Sequence, residues 1–271
     1  MSLNDLRISS VHNPRVKEAA GLRDRRQRKR QGRFLIDGVR ELSRALDAKL
    51  TPLDVFVCPE LLNGDEDRTL LARLRQLQLP LVEVTSQVFA KLAYGERAAG
   101  VVAVAETRQT TLIDLDLPAD GLIAVVEGLE KPGNLGAVLR SADGAGVSAV
   151  LVADPNTDLF NPNTIRASLG TIFSQRVVAG TSAEIKQWLT ARGVQIVAAR
   201  VDAKIDYFMP DYTLATALVL GSEAEGLGDV WKSSDVTPVR LPMLGVADSL
   251  NVSAAAAVMF YEARRQRAKI I

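Results

Sequence analysis

Three stretches of the sequence place polar residues and glycines directly after an apolar run that predicts a β-strand. The first stretch is residues 127–136. Its pair Pro132-Gly133 predicts a turn, and Asn134 is a candidate cap for the helix that follows. Arg140 is predicted on the polar face of that helix, in one stripe with Gly136 and Asp143. The free amides of such a helix start favour an anion, although an ordinary cap and a surface arginine explain the same pattern.

The second stretch, residues 221–228, places three glycines around a short acidic run and is called the glycine loop below. A strand that ends in this way exposes backbone amides and carbonyls to a ligand from Gly221 onward. Glu223 can accept hydrogen bonds from hydroxyl or amino groups. A connecting loop that needs glycine for positive φ angles is the alternative.

The third stretch begins at Leu241 and combines apolar side chains with irregular backbone. Leu241, Met243 and Leu250 can wall a flat aromatic ring, while the backbone between them supplies hydrogen bonds. The alternative is the start of a packed helix that is capped by Ser249 or Asn251. All three stretches follow predicted strands, at the carboxyl ends where open α/β sheets bind their ligands.

Positive charge is concentrated near the N-terminus, although the net charge of the chain is only +1. Residues 23–33, the basic stretch, contain seven basic residues and one acidic residue, Asp24. Such a block is typical of a contact with a nucleic-acid phosphate backbone, and a solvated helix face is the alternative. The candidates for phosphate contact are Arg25, Arg26, Arg28, Arg30 and Arg33.

Several classes of protein are disfavoured by what the chain contains. It has one cysteine, Cys58, which we expect to be buried, and one histidine, His12, so it cannot assemble a disulfide or a Cys/His metal cluster. The glycines of the first stretch, Gly128, Gly133 and Gly136, match neither the dinucleotide-binding spacing nor the P-loop spacing. This mismatch disfavours a nicotinamide-dependent enzyme. No apolar run is long enough to span a membrane and no signal-peptide core is present, so we expect a cytoplasmic protein without a metal.

At 271 residues the chain is predicted to form two α/β domains. Both halves alternate apolar runs with helical patterns, and the second half predicts a parallel sheet built from βαβ units. One of its helices is predicted over residues 163–173. The periodicity is lost between the halves, so we place domains at 1–107 and 120–271 and a linker at 108–119.

Taken together, the three stretches resemble the motifs of the SpoU/TrmH family of RNA ribose 2′-O-methyltransferases, within the SPOUT superfamily. Residues 134–140 (NLGAVLR) are similar to the first family motif, and residues 220–227 (LGSEAEGL) are similar to the second. Residues 241–243 (LPM) and 249–253 (SLNVS) are similar to the third. The N-terminal half is similar to the ribosomal-protein-like substrate-binding domain that many members carry.

The resemblance implies a C-terminal parallel-sheet SPOUT domain with a trefoil knot and a smaller N-terminal α/β domain that binds RNA. It also implies a homodimer and S-adenosyl-L-methionine as the cofactor. The residues expected to hold the cofactor are Gly221, Leu241, Met243, Ser249 and Leu250. Those expected to face the ribose and the flanking RNA are Asn134, Arg140, Glu223, Asn251 and Ser253, with the first three as catalytic residues.

The family analogy gives Arg140 the role of base, but a guanidinium does not deprotonate readily. We favour a role in which Arg140 binds the adjacent phosphate and stabilises the developing oxyanion, while the proton passes to phosphate, Glu223 or water. Base catalysis by Arg140 stays open. Ribosomal RNA is favoured over transfer RNA because of the N-terminal domain. The alternative to an enzyme is a non-catalytic RNA-binding or ribosome-assembly protein, although the motif residues Asn134, Arg140, Glu223 and Asn251 are all present.

Overall fold

The computed structural model describes residues 6–95, 99–108, 110–222 and 225–268. The chain divides into two compact units, and each unit has its own β-sheet. The first unit contains residues 1–108 and 158–174, and the second contains residues 109–157 and 175–271. No helix within the described ranges is both long enough and apolar enough to cross a membrane.

Within the described part of the first unit, the sheet has five strands. They are β1 (Leu6–Ile8), β2 (Arg33–Asp37), β3 (Asp54–Val57), β4 (Leu81–Val84) and β5 (Val101–Glu106). Their order across the sheet is β1-β4-β3-β5-β2. Strands β1, β4 and β3 are parallel, and β5 runs antiparallel to both of its neighbours.

In the part of the first unit before residue 108, the described residues form five α-helices. They are α1 (Pro14–Gly21), α2 (Arg25–Gln31), α3 (Val39–Asp47), α4 (Asp65–Gln76) and α5 (Ser86–Leu92). Helices α1 and α5 contribute Val16, Phe89 and Leu92 to a core with Phe56 and Val102 of the sheet. This arrangement confirms the predicted small α/β fold of the N-terminal half.

The sheet of the second unit has seven strands in the ranges that the structure describes. They are β6 (Leu122–Glu127), β7 (Ala149–Ala153), β8 (Val177–Gly180), β9 (Gln195–Ala199), β10 (Ile205–Asp206), β11 (Thr216–Leu220) and β12 (Val236–Arg240). Their order is β10-β12-β9-β11-β6-β7-β8, and every neighbouring pair is parallel. The central strands β6 and β11 are apolar except for Glu127 at the end of one and Thr216 at the start of the other, which is typical of strands buried on both faces. The predicted parallel sheet is confirmed.

Four further α-helices are formed by the residues that the structure describes in the second half of the sequence. They are α6 (Pro132–Ala145), α7 (Pro162–Ala167), α8 (Ser182–Thr190) and α9 (Val252–Arg267). Helix α6 packs against α9, and α8 places Ile185 and Leu189 in a core with Val125, Val219 and Trp231. Because all the strands are parallel, the loops after β6, β9, β11 and β12 leave the sheet at the same edge.

The prediction of one helix over residues 163–173 is wrong. Helix α7 ends at Ala167, and the backbone then turns through positive φ angles of 54° at Leu169 and 82° at Gly170. A short 3-10 helix, Thr171–Phe173, follows. The left-handed conformation at two successive residues cannot continue a helix, because L-residues in a helix need negative φ.

This segment, residues 158–174, packs inside the first unit although the sequence around it belongs to the second. The ring of Phe34 on β2 stacks on the ring of Phe160 at 4.4 Å and on that of Phe173 at 6.1 Å, measured between centroids. Arg28 of α2 forms an ion pair with Asp158 at 2.6 Å. The predicted boundaries at residues 108–119 stay a prediction.

Candidate active site

A cavity of about 550 Å³ opens among the loops that follow β9, β11 and β12 in the second unit. The five residues predicted to hold a cofactor all line it: Gly221, Leu241, Met243, Ser249 and Leu250. They come from the loops after two successive strands, β11 and β12, and the parallel sheet brings both loops to one edge. The volume lies within the range of roughly 300–1,000 Å³ that is typical of small-molecule sites.

The glycine loop folds back on itself at the cavity. Ser222 and Gly226 exchange two backbone hydrogen bonds of 3.2 and 3.1 Å. A Cβ atom added to Gly221 would collide with the carbonyl oxygen of Gly226 and lie 2.7 Å from the backbone nitrogen of Leu227. Position 221 therefore requires glycine because two backbone segments approach each other there. Glu223 lies outside the described residues, and its role stays a prediction.

The third stretch connects the cavity to helix α6. Asn251 lies between Leu250 and Val252, which both line the cavity. Its side-chain nitrogen donates a hydrogen bond to Oδ1 of Asn134 at 3.4 Å. Its side-chain oxygen accepts a hydrogen bond from the backbone nitrogen of Ser253 at 3.0 Å and caps α9. The start of α6 and the cavity are therefore neighbours, and Asn251 stands between them.

Helix α6 begins earlier than the sequence predicts. Its first residue is Pro132 and its cap position is Lys131, so the prediction that Asn134 caps this helix is wrong. Proline suits the first helical position because its fixed φ angle matches the helix and its missing N–H is not needed there. Asn134 consequently sits inside the first turn, where its side-chain oxygen is available to Asn251.

The predicted polar stripe of α6 is correct for two of its three residues. Arg140 and Asp143 are exposed, whereas Gly136 is buried. Among the described residues, no hydrogen bond or ion pair holds the guanidinium of Arg140. Arg140 therefore presents a charged planar group to solvent, further along the helix that begins beside the cavity.

A further part of the cavity wall, residues 199–202, was not predicted. It begins at Ala199, the last residue of β9. Arg200 binds Asp202 through two hydrogen bonds, Nε to Oδ1 at 2.9 Å and Nη2 to Oδ2 at 2.6 Å. This pairing raises the pKa of Arg200 and lowers the pKa of Asp202, so both side chains remain charged. Lys232 adds another positive charge to the lining. The available signal was that these residues follow an apolar run that predicts a strand, but no glycine marks the loop that begins there.

Glu127, the last residue of β6, also has a role beside the cavity that the sequence did not predict. Its side chain is buried, with 8% of the residue exposed. Its carboxylate accepts hydrogen bonds from the backbone nitrogen of Gly228 at 2.7 Å and from the indole nitrogen of Trp231 at 2.8 Å. The hydroxyl of Ser182 also contacts it. An acidic residue at the end of an otherwise apolar buried strand was the available signal.

The basic stretch folds as α2 followed by the start of β2 in the first unit. Arg25, Arg26, Lys29 and Arg30 are exposed, and Arg33 is half-buried. Helix α2 is capped by Asp24, whose side chain accepts from the backbone nitrogens of Arg26 and Gln27. The only acidic residue of the stretch therefore serves to start the helix that presents the arginines.

Arg28 does not fit the predicted contact with phosphate. It is 4% exposed, because its position on α2 faces the interior of the first unit. Its guanidinium donates to Asp158 at 2.6 Å and to the backbone carbonyls of Leu22 and Arg23, each at 2.8 Å. These partners occupy the group, so we withdraw Arg28 from the residues expected to contact RNA.

Within the described residues no group of three or more His, Cys, Asp or Glu side chains is placed to hold a metal ion. Cys58 is buried with the core of the first unit, as predicted.

Comparison with known proteins places these features in a family. The family model described as SpoU rRNA Methylase family matches residues 121–261, which is more than half of the chain. The chain belongs to the SpoU rRNA methylase family. A second model, described as MRM3-like substrate binding domain, matches residues 13–103. The family that the three motifs predicted is confirmed.

Individual relatives of this SpoU family member cover nearly its whole length. The 23S rRNA (uridine(2479)-2′-O)-methyltransferase of Streptomyces viridochromogenes is 33% identical, over 91% of this chain and 87% of the relative. A crystal structure of an RNA 2′-O ribose methyltransferase is 44% identical, with a TM-score of 0.85 over 97% of this chain and 99% of that one. The AdoMet-bound rRNA methyltransferase from Sinorhizobium meliloti is 27% identical, with a TM-score of 0.86 over 97% and 98%.

Proposed function

We propose that this SpoU family member transfers a methyl group from S-adenosyl-L-methionine to a ribose 2′-hydroxyl of ribosomal RNA. One observation carries the proposal: the cavity is lined by all five predicted cofactor residues and adjoins the helix that bears Asn134 and Arg140. The named activities of the Streptomyces and Sinorhizobium relatives support ribosomal RNA rather than transfer RNA as the substrate.

The cavity suits S-adenosyl-L-methionine in size and in chemistry. Leu241, Met243 and Leu250 provide apolar walls for the adenine ring, and the lining also carries the charges of Arg200 and Asp202. Charges of both signs match a ligand that bears a carboxylate and an ammonium group. We assign cofactor binding to Gly221, Leu241, Met243, Ser249 and Leu250. When bound, the cofactor supplies a methyl group that its positive sulphur has already activated.

The protein must then align the ribose with the cofactor and assist the loss of a proton from a weakly acidic hydroxyl. Alignment alone can contribute about 7–11 kcal/mol. We assign this positioning to Asn134, Asn251 and Ser253, which lie together at the boundary of the cavity and α6. No metal is needed for this displacement, since the methyl group requires no Lewis acid.

Arg140 acts on the RNA rather than on the cofactor in this proposal. Its exposed guanidinium binds the phosphate next to the target ribose and stabilises negative charge that develops on the 2′-oxygen. The guanidinium keeps its proton throughout. The proton of the hydroxyl passes to the phosphate, to Glu223 or to water.

The proposal assigns residues 1–107 to RNA binding, residues 108–119 to a linker and residues 120–271 to catalysis. Arg25, Arg26, Arg30 and Arg33 contact the RNA backbone. The match of the substrate-binding model to residues 13–103 and the exposure of α2 support this division of labour.

A homodimer, a cytoplasmic location and a trefoil knot in the C-terminal half complete the proposal, as the family resemblance predicts. Light scattering on the purified protein tests the dimer. The expected mass is twice the 29.2 kDa of one chain, and a mass of 29.2 kDa at working concentration would contradict it.

Methyl transfer in vitro tests the proposed activity. The protein is incubated with methyl-labelled S-adenosyl-L-methionine and unmodified ribosomal RNA, and the RNA is digested to nucleosides for mass spectrometry. A 2′-O-methyl nucleoside is expected. Label on a base, or label only when transfer RNA is offered, would contradict the proposed substrate. Tight RNA binding without any transfer would instead support the non-catalytic RNA-binding alternative.

A further inference from the structure

Glu127 is a buried carboxylate that holds the far end of the glycine loop. Its Oε2 accepts from the backbone nitrogen of Gly228, the last residue of that loop, at 2.7 Å. Its Oε1 accepts from the indole of Trp231 at 2.8 Å and from the hydroxyl of Ser182. Among the described residues no arginine or lysine pairs with Glu127, so neutral donors alone satisfy the buried carboxylate.

The near end of the glycine loop is fixed in a different way. Strand β11 ends at Leu220 and pairs in parallel register with Val126, the residue before Glu127. Both ends of the loop are therefore attached to the end of β6, one by the backbone ladder and the other by the Glu127 side chain. Between these attachments, Gly221, Ser222 and Leu227 line the cavity.

We infer that Glu127 is a positioning residue that sets the affinity for S-adenosyl-L-methionine by holding the exit of the glycine loop against β6. This inference rests on the proposed function, because it takes the cavity to be the cofactor site. Glu127 touches neither the cofactor nor the substrate in this role. It acts through Gly228 and Trp231.

At position 127, both terminal atoms of the side chain must accept hydrogen bonds. Glutamine has nearly the same shape, but its NH₂ group would face either the amide of Gly228 or the indole of Trp231, which are both donors. One donor would then be buried without a partner. Because such a loss costs more than the average hydrogen bond contributes, Glu127→Gln should loosen the loop without creating a cavity in the core.

The chain offers a matched control in Ser182, which contacts the same carboxylate but belongs to α8. The hydroxyl of Ser182 also lies 2.6 Å from Oδ2 of Asp154, so its single proton serves only one of the two carboxylates at a time. Ser182→Ala removes this shared donor and leaves the bonds from Gly228 and Trp231 to Glu127 in place. If Glu127 acted only by stabilising this end of the sheet, both variants would affect cofactor binding. If it acts on the loop, only Glu127→Gln should do so.

The test is calorimetric titration of S-adenosyl-L-methionine into the wild type and both variants, together with amide hydrogen exchange of residues 225–228 without cofactor. Glu127→Gln should weaken cofactor binding about tenfold, as expected for one unsatisfied buried donor, and should speed exchange at Gly228. Its kcat at saturating cofactor should stay within about threefold of the wild type, because only binding is lost. Ser182→Ala should bind the cofactor within about twofold of the wild type.

Unchanged exchange at Gly228 in Glu127→Gln, or equal weakening of cofactor binding in Ser182→Ala, would overturn the inference. If the wild type binds no S-adenosyl-L-methionine, the proposed function fails instead, while the exchange measurement still reports whether Glu127 holds the loop. Should Glu127→Gln fail to fold, Trp231→Phe removes one donor and keeps the Gly228 bond. That variant should weaken cofactor binding about threefold, and wild-type affinity in it would count against the inference.

Discussion

The cavity of the second unit is lined by residues from three separate loops, whereas the basic stretch of the first unit places residues that are adjacent in sequence in different environments. A parallel sheet brings the carboxyl ends of its strands to one edge, so Gly221 and Leu250 meet there. A helix spreads successive residues around its axis, so Arg28 faces the interior while Arg26 and Arg30 face solvent. The ends of neighbouring parallel strands therefore predict a shared site better than a run of charged residues does.

The largest effect on activity should come from Arg140, the exposed arginine of the helix that begins beside the cavity. Arg140→Ala should lower the rate of methyl transfer by about 10²–10³, because the side chain that we propose stabilises the developing oxyanion is lost. Cofactor binding, measured by calorimetry, should change little, since Arg140 does not line the cavity. Arg140→Lys should be nearly as poor, because an ammonium lacks the planar fork. A lysine variant with most of the wild-type rate would contradict the positioning role.

Gly221 tests whether backbone contact in the glycine loop shapes the cavity. Gly221→Ala should weaken S-adenosyl-L-methionine binding at least tenfold, because the added methyl group collides with Gly226 and the loop must move, at a cost of about 1–3 kcal/mol or more. Gly180→Ala is the matched control, since Gly180 also ends a parallel strand but its added Cβ would have no neighbour closer than 3.6 Å. Equal cofactor affinity in the two variants, measured by calorimetry, would show that the loop tolerates a side chain there.

Arg28 tests whether a charged residue of the basic stretch stabilises the first unit through its ion pair with Asp158. Arg28→Met should lower the free energy of unfolding by about 2–3 kcal/mol, because Asp158 loses its partner while its side chain is only 20% exposed. Arg30→Met, at an exposed position of the same helix, should stay within about 0.5 kcal/mol of the wild type. Urea denaturation measures both. If the two variants were equally stable, the Arg28–Asp158 pair would have no structural role.

The smallest expected effect comes from the exposed arginines of α2. Changing Arg25, Arg26 and Arg30 together to glutamine should raise the KM for RNA and flatten its salt dependence by up to about one phosphate contact per charge. Cofactor affinity should not change. Steady-state kinetics over a series of salt concentrations provides the measurement. An unchanged KM with an unchanged salt slope would make α2 a solvated helix face, which was the alternative for the basic stretch.

Much of the fold and the location of the cavity follow from the sequence, because uninterrupted apolar runs predict buried parallel strands and glycines mark two of the loops at their ends. Residues 199–202 and Glu127 could not be predicted in the same way. Their roles depend on the order of strands across the sheet, which places β9 and β6 on either side of β11. The packing of residues 158–174 into the first unit depends on contacts of Phe34 and Arg28 with residues more than a hundred positions away.

In the proposed function, the cavity and Arg140 act together to methylate a ribose of ribosomal RNA. Mapping of 2′-O-methyl positions in ribosomal RNA tests it most directly, in a strain from which the gene has been deleted and in the same strain carrying either the wild type or Arg140→Ala. We expect that a 2′-O-methyl group is lost on deletion, restored by the wild type and not restored by Arg140→Ala. A full set of 2′-O-methyl groups in the deletion strain, or restoration by the alanine variant, would contradict it.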